Sequence, residues 1–200
     1  MTYTASRDDM LAELSKEIIT CKRCPLHLTR NKPLVGEGTT NVNIMMIGEA
    51  PGYNEDLQGK AFIGKAGAIL DKLLSHINLS REDIYITNIL KCHPPQNHNP
   101  TTEEINGCVE YLYSQIKIIC PKIIVTLGKF ASQAIFSKVF LPFSKISEMH
   151  GEIFEITASY GQVKILPHYH PSAACYNISM FDTLKYDFEI TIGKLINQGK

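Results

Sequence analysis

Two groups of residues in this chain could do chemistry. The first is cysteine: Cys21 and Cys24 form a Cys-x-x-Cys pair, and Cys92 and Cys108 follow later. Two thiolates at that spacing reach one metal or cluster without backbone strain. Zinc suits four thiolates, but zinc ribbons usually supply two such pairs, and Cys92 and Cys108 stand sixteen residues apart. A cuboidal iron–sulfur cluster is wider and tolerates scattered ligands. Cys120, which precedes Pro121, and Cys175 read as packing residues.

The second group begins with GEAPGYNEDLQGKAFIGKAG, residues 48–67, directly after the apolar run ending at Ile47. Gly59 to Ala66 comes within one residue of a P-loop. A P-loop, however, needs Ser or Thr after its lysine to hold magnesium, and it follows a strand closely. Here Ala66 follows Lys65, and Gly59 stands twelve residues beyond Ile47, so a triphosphate is not expected. Glu49, Glu55 and Asp56 supply carboxylates to this stretch, as site groups or as a solvated acidic loop. Asn88 closes a later apolar run, and His170 opens His-Pro-Ser, with His168 two residues earlier as an alternative.

These residues need elements to position them. Near-continuous apolar runs at 42–47, 84–90, 123–127 and 163–166 predict parallel strands covered on both faces. Longer amphipathic segments predict helices over 6–20, 66–77, 102–119, 129–136 and 181–197, with Thr101 and Thr102 as caps for the third. A further edge strand is expected near 152–156. The alternation predicts an α/β sandwich built on those four parallel strands. Ligands bind in such sheets beyond the carboxyl ends of the strands. GEAPG, KCHPPQNHNP and PHYHPS all fall there, and together they make one candidate site.

The chain has 200 residues, enough for one domain spanning 1–200 with a sizeable core. It is 44% apolar and 20% charged, with formal net charge zero. Global charge therefore announces no nucleic-acid partner, although a local basic face remains open. No apolar run approaches the ~20 residues that cross a bilayer, and the opening segment carries acids rather than a signal-peptide core. A cytoplasmic protein is expected, nucleoid-associated in a prokaryote, and in that setting disulfides are not.

CKRC, GEAPGYNED, GKAFIGKAG, TNILKC and HPS occur in this order over nearly the whole chain. In this the chain resembles the iron–sulfur uracil-DNA glycosylases of family four. The resemblance implies a three-layer α/β/α sandwich with a central four-stranded parallel sheet, and a [4Fe-4S] cluster of structural rather than catalytic role on Cys21, Cys24, Cys92 and Cys108. It implies excision of uracil from single- and double-stranded DNA by a monomer, and leaves binding of a replication clamp open. By motif position, Phe62 would stack on uracil and Asn88 would read its O4 and N3–H, since an amide offers both acceptor and donor. His170 would lie near O2, where negative charge grows as the base departs. Gly48, Glu49 and Ala50 would line the pocket. Better-known uracil glycosylases carry an aspartate where Ala50 stands, which leaves Glu49 and Glu55 as candidates to activate water. Lys91, Lys129 and Lys145 are either phosphate contacts or ordinary surface lysines.

Overall fold

A computed structural model describes residues 5–198; both ends of the expected 1–200 domain lie outside the described residues. Its strands are β1 (Ile44–Gly48), β2 (Ile84–Asn88), β3 (Ile123–Leu127), β4 (Phe154–Ala158) and β5 (Gly161–His168). They form one sheet in the order β2-β1-β3-β5-β4. β1 pairs in parallel with β2 and β3, and β3 in parallel with β5. β4 joins β5 antiparallel through the two-residue turn Ser159-Tyr160.

The expected four-stranded parallel sheet is therefore a five-stranded, mostly parallel one. The edge strand foreseen near 152–156 belongs to it, shifted by two residues. β4 alternates half-buried and exposed positions, as a strand does with one solvated face, whereas β1, β2 and β3 are buried throughout.

The helices are α1 (Arg7–Thr20), α2 (Tyr53–Gln58), α3 (Lys65–His76), α4 (Thr102–Ile119), α5 (Lys129–Lys138), α6 (Ile146–Met149), α7 (Ala173–Tyr176), α8 (Ser179–Phe188) and α9 (Lys194–Gln198). Reciprocal side-chain caps start α1 at Ser6 with Asp9 and α4 at Thr101 with Glu104. The single helix expected over 181–197 is interrupted by a π-type turn at Glu189–Gly193. There the Thr191 hydroxyl donates to the Asp187 carbonyl, and such back-bonding disturbs the regular ladder.

Successive residues of β1 serve opposite sides of the sheet. Met45 and Ile47 join a core with Leu14, Ile18 and Leu112, from α1 and α4. Ile44 and Met46 join a second core with Leu70, Leu73 and Leu184, from α3 and α8. Helices thus cover both faces, and the four parallel strands end along one edge. The working loops leave from that edge.

Candidate active site

The segments after β1, β2, β3 and β5 converge with the α2–α3 loop on a cleft of about 490 Å³. Glu49, Ala50, Glu55, Phe62, Asn88 and His170 all line it. Gly48 lies beneath them: a Cβ there would collide with the Asn88 amide oxygen and come within 2.7 Å of the Phe62 ring. Only the absence of a side chain lets the strand-end amide and the ring meet.

Asn88 is buried, and its Oδ1 has no hydrogen-bond partner among the described residues. An unpaired buried polar atom costs about 1–3 kcal/mol, and this one lies on a residue that lines the cleft. Phe62 is buried at the wall, its ring centroid 5.8 Å from that of His170 and tilted by 32°. Its backbone is left-handed, with φ of 52°. Gly67, in the first turn of α3, lacks the Cβ that would overlap the Phe62 carbonyl.

The tautomer of His170 follows from its partners. The backbone N–H of Ser172 donates to Nδ1 at 3.2 Å, and the Ser172 hydroxyl lies 2.8 Å from the same nitrogen. Since an N–H can only donate, Nδ1 carries the lone pair and Nε2 the proton. Burial pulls the imidazole down to about 4, which keeps it neutral near pH 7. His170 therefore offers a neutral N–H donor. His168 is fully buried elsewhere, 3.1 Å from Thr191 Oγ1, and burial pulls it to about 3.

The carboxylates separate into different roles. Glu49 is half-buried in the cleft with no side-chain partner among the described residues, and burial raises its pKa. Glu55 accepts the Gly64 N–H at 2.9 Å and so ties α2 to the start of α3. Asp56, which the sequence left open as part of a solvated acidic loop, is buried. It accepts the backbone N–H of Asn31 at 3.0 Å, that of Lys32 at 3.3 Å, and the Asn31 side-chain amide at 2.5 Å. Gly59 closes α2 rather than following a strand, so the phosphate-loop arrangement is absent here.

Lys91 is neither a phosphate contact nor a surface residue. It is buried, and Nζ donates to Gln115 Oε1 at 2.6 Å, Thr87 Oγ1 at 2.7 Å and the Asn88 carbonyl at 2.7 Å. All three of its protons are used, which fixes the strand end carrying Asn88. Lys129 and Lys145 are exposed, and Lys129 lines the cleft while Lys145 pairs with Glu148. Tyr53, Lys65, His98 and Tyr176 also line the cleft and were not singled out from sequence. Ser172 had a signal, a hydroxyl two residues after a histidine, but its function needed the turn geometry.

Cys21, Cys24, Cys92 and Cys108 line a second, much narrower cavity of about 10 Å³. Cys21 ends α1, Cys24 precedes a short 3-10 helix at Pro25–Leu28, Cys92 follows β2, and Cys108 sits on α4. Arg30 Nη1 donates to Cys92 Sγ at 3.1 Å, the Lys91 N–H to Cys108 Sγ at 3.2 Å, and the Arg23 N–H to Cys21 Sγ at 3.4 Å. Arg23 also lies over the Tyr111 ring at 4.5 Å beside the cavity. Burial raises the thiols of Cys24, Cys92 and Cys108, with neighbouring cysteines adding to the effect.

Among the described residues, no three His, Cys, Asp or Glu side chains converge closely enough for a single metal ion. Tetrahedral zinc holds its sulfurs about 3.8 Å apart at Zn–S of about 2.3 Å. Four cysteines lining one cavity, three of their sulfurs receiving N–H donors and no three converging on a single ion, make a donor set that would suit a larger thiolate-bound cluster. Cys120 is half-buried and ends α4, whereas Cys175 is exposed, so its reading as a packing residue fails.

Fold and cleft together define an α/β protein with a strand-end cleft lined by an aromatic ring, an unpaired amide oxygen and an imidazole. Residues 35–189 match the family described as the Uracil DNA glycosylase superfamily. The chain is 42% identical to the type-4 uracil-DNA glycosylase of Archaeoglobus fulgidus, covering 94% of both chains. It is 42% identical to that of Sulfurisphaera tokodaii, covering 90% of this chain and 83% of the relative. For the type-4 enzyme of Thermotoga maritima the identity is 38%, covering 87% and 88%. This chain belongs to the uracil-DNA glycosylase superfamily.

Proposed function

We propose that this protein is a DNA-repair hydrolase that excises uracil by cleaving the bond between the base and its deoxyribose. The observation that carries this reading is the unpaired amide of Asn88, set beside the Phe62 ring and facing a cleft into which His170 presents Nε2–H. A base must leave the stack to enter such a cleft. Phe62 would hold its face, and Asn88 would pair with O4 and N3–H. Cytosine has a donor at position four and a bare N3, so it would leave the fixed amide mismatched and buried.

As the glycosidic bond breaks, its electron pair moves onto uracil and negative charge gathers at O2. A neutral N–H donor there stabilises that charge without first losing a proton. Water adds to the sugar carbon and gives up a proton. Glu49 is the carboxylate left free to take it, since Glu55 is engaged with Gly64, and burial, by raising its pKa, makes it a stronger base than an exposed carboxylate. The products are free uracil and an abasic site.

DNA, single- or double-stranded, would approach across the first turns of α3 and α5. Lys65 and Lys129 begin those helices at the cleft, and helix N-termini attract phosphate. Cys21, Cys24, Cys92 and Cys108 would hold a [4Fe-4S] cluster, which when bound supplies cross-links between α1, the β2 loop and α4 rather than a catalytic group. Among the described residues, no helix is long and apolar enough to cross a membrane.

The test is a uracil-containing oligonucleotide followed by alkaline cleavage. Strand scission that depends on uracil, with none at cytosine, is the expected outcome. Absence of scission by protein that retains its visible absorption band near roughly 400 nm would overturn the reading.

A further inference from the structure

We propose that Arg81 and Glu37, both outside the cleft, are positioning residues that hold Phe62 in its left-handed backbone conformation and thereby aim its ring. The inference rests on Phe62 being the surface on which the base stacks.

Phe62 is not glycine, yet its φ is 52°. A bulky residue stays in that region only where its surroundings over-determine it. Here the surroundings are two side chains. Arg81 Nη1 donates to the Ala61 carbonyl at 2.9 Å, and Nη2 donates to the Phe62 carbonyl. Glu37 Oε1 accepts the Ala61 N–H at 2.8 Å. Three of the four backbone polar groups of residues 61 and 62 are therefore engaged by these two side chains.

The clamp is itself anchored. Arg81 Nε donates to Asp71 Oδ1 of α3 at 2.7 Å, which orients the guanidinium. The Glu37 backbone exchanges hydrogen bonds with Ile86 of β2, at 2.9 and 2.8 Å. Arg81 starts the short helical turn that leads into β2. The strand that delivers Asn88 thus also anchors the residues that fix Phe62, one through the turn that leads into it and the other by pairing with Ile86, so the edge reader and the face platform share one frame. A guanidinium fork reaches two adjacent carbonyls at once, which an ammonium on a flexible stem does not reproduce.

The experiment compares the holoprotein with its Arg81→Ala and Glu37→Ala variants, by amide hydrogen exchange and by excision kinetics. Exchange at residues 59–64 should accelerate at least ~10-fold while peptides in β1 and β2 keep their protection. kcat/KM should fall by roughly 10- to 100-fold, and Arg81→Lys should restore part of the loss. In a Phe62→Ala background, Arg81→Ala should cost less than about 3-fold, because the residue through which it acts is gone. Unchanged exchange at 59–64, or equal losses with and without Phe62, would overturn the proposal. A parent protein that releases no uracil defeats the glycosylase reading instead, and the exchange comparison then decides alone whether the clamp exists.

Discussion

In the cleft, most working side chains leave the end of a strand or the turn just beyond it, whereas in the cysteine cavity each sulfur hangs from a helix or a loop. Asn88 ends β2, Glu49 follows β1, and His170 comes two residues after β5. Hydrogen-bonded neighbours fix those strand ends whatever occupies the cleft. The cysteines come from the end of α1, the segment after it, the loop after β2 and the body of α4. Those parts are held by the packing of α1 against α4 and by Arg30, which donates to the Ile19 and Cys21 carbonyls and to Cys92 Sγ, and a bound cluster would add cross-links to them. One region is preorganised by the sheet, and the other, in the function proposed above, would be completed by a cluster.

Replacing a cysteine should therefore have the largest effect. Cys108→Ser is expected to remove the visible absorption band and to destabilise the protein by more than about 4 kcal/mol, the range reached on losing a metal site. Absorption and thermal melting check this. A variant that melts like the parent would show that the sheet holds the cavity unaided.

Asn88→Ala should behave in the opposite way. Single-turnover excision should fall about 10²–10³-fold, while the absorption band and melting temperature remain. Because the substitution removes an unpaired buried oxygen, stability should stay level or rise slightly. Loss of the fold instead would make Asn88 a structural residue and erase the contrast between the two regions.

Acid should sharpen the contrast further. His168 and His170 are held near 3 and 4 by burial, with His150 adding to the effect on His168. Unfolded, both titrate near about 6.5, so below that pH the unfolded chain binds more protons than the folded one. Stability is then complete above about pH 6.5 and declines toward pH 4, by several kcal/mol for the two together as an order of magnitude. Denaturant melts at successive pH values measure this. Excision by the folded protein should show no imidazole titration above about pH 5, since His170 works neutral.

The smallest effect belongs to the loop between the two regions. Gln96 and Asn97 take left-handed backbones in succession, with φ of 57° and 53°. Asn tolerates that region better than Gln, so Gln96→Gly should stabilise by about 1 kcal/mol, read as a small rise in melting temperature with excision unchanged.

The sequence exposed the cleft better than the residues that support it. Gly48, Asn88 and His170 stood at or just beyond strand ends, where the strand-end rule gathers them, whereas Phe62 was legible only through the family resemblance. Lys91 was misread because a lysine beside a cysteine loop resembles a surface cation, and only the fold brings Gln115, Thr87 and the Asn88 carbonyl around it. Asp56 left its role open for a related reason: its partners, Asn31 and Lys32, lie twenty-five and twenty-four residues away. The fifth strand was weakly marked because an edge hairpin with one wet face lacks the continuous apolar run of its neighbours. The tautomer of His170 depends on a turn in which Ser172 folds back on it, and spacing alone does not specify that turn.

The most direct measurement is a structure of the protein with uracil bound. The account predicts the ring against Phe62, Asn88 paired with O4 and N3–H, and His170 Nε2 donating to O2, with the cysteine cavity unchanged. Uracil seated elsewhere, or in this cleft with the Asn88 amide still unpaired, would contradict it.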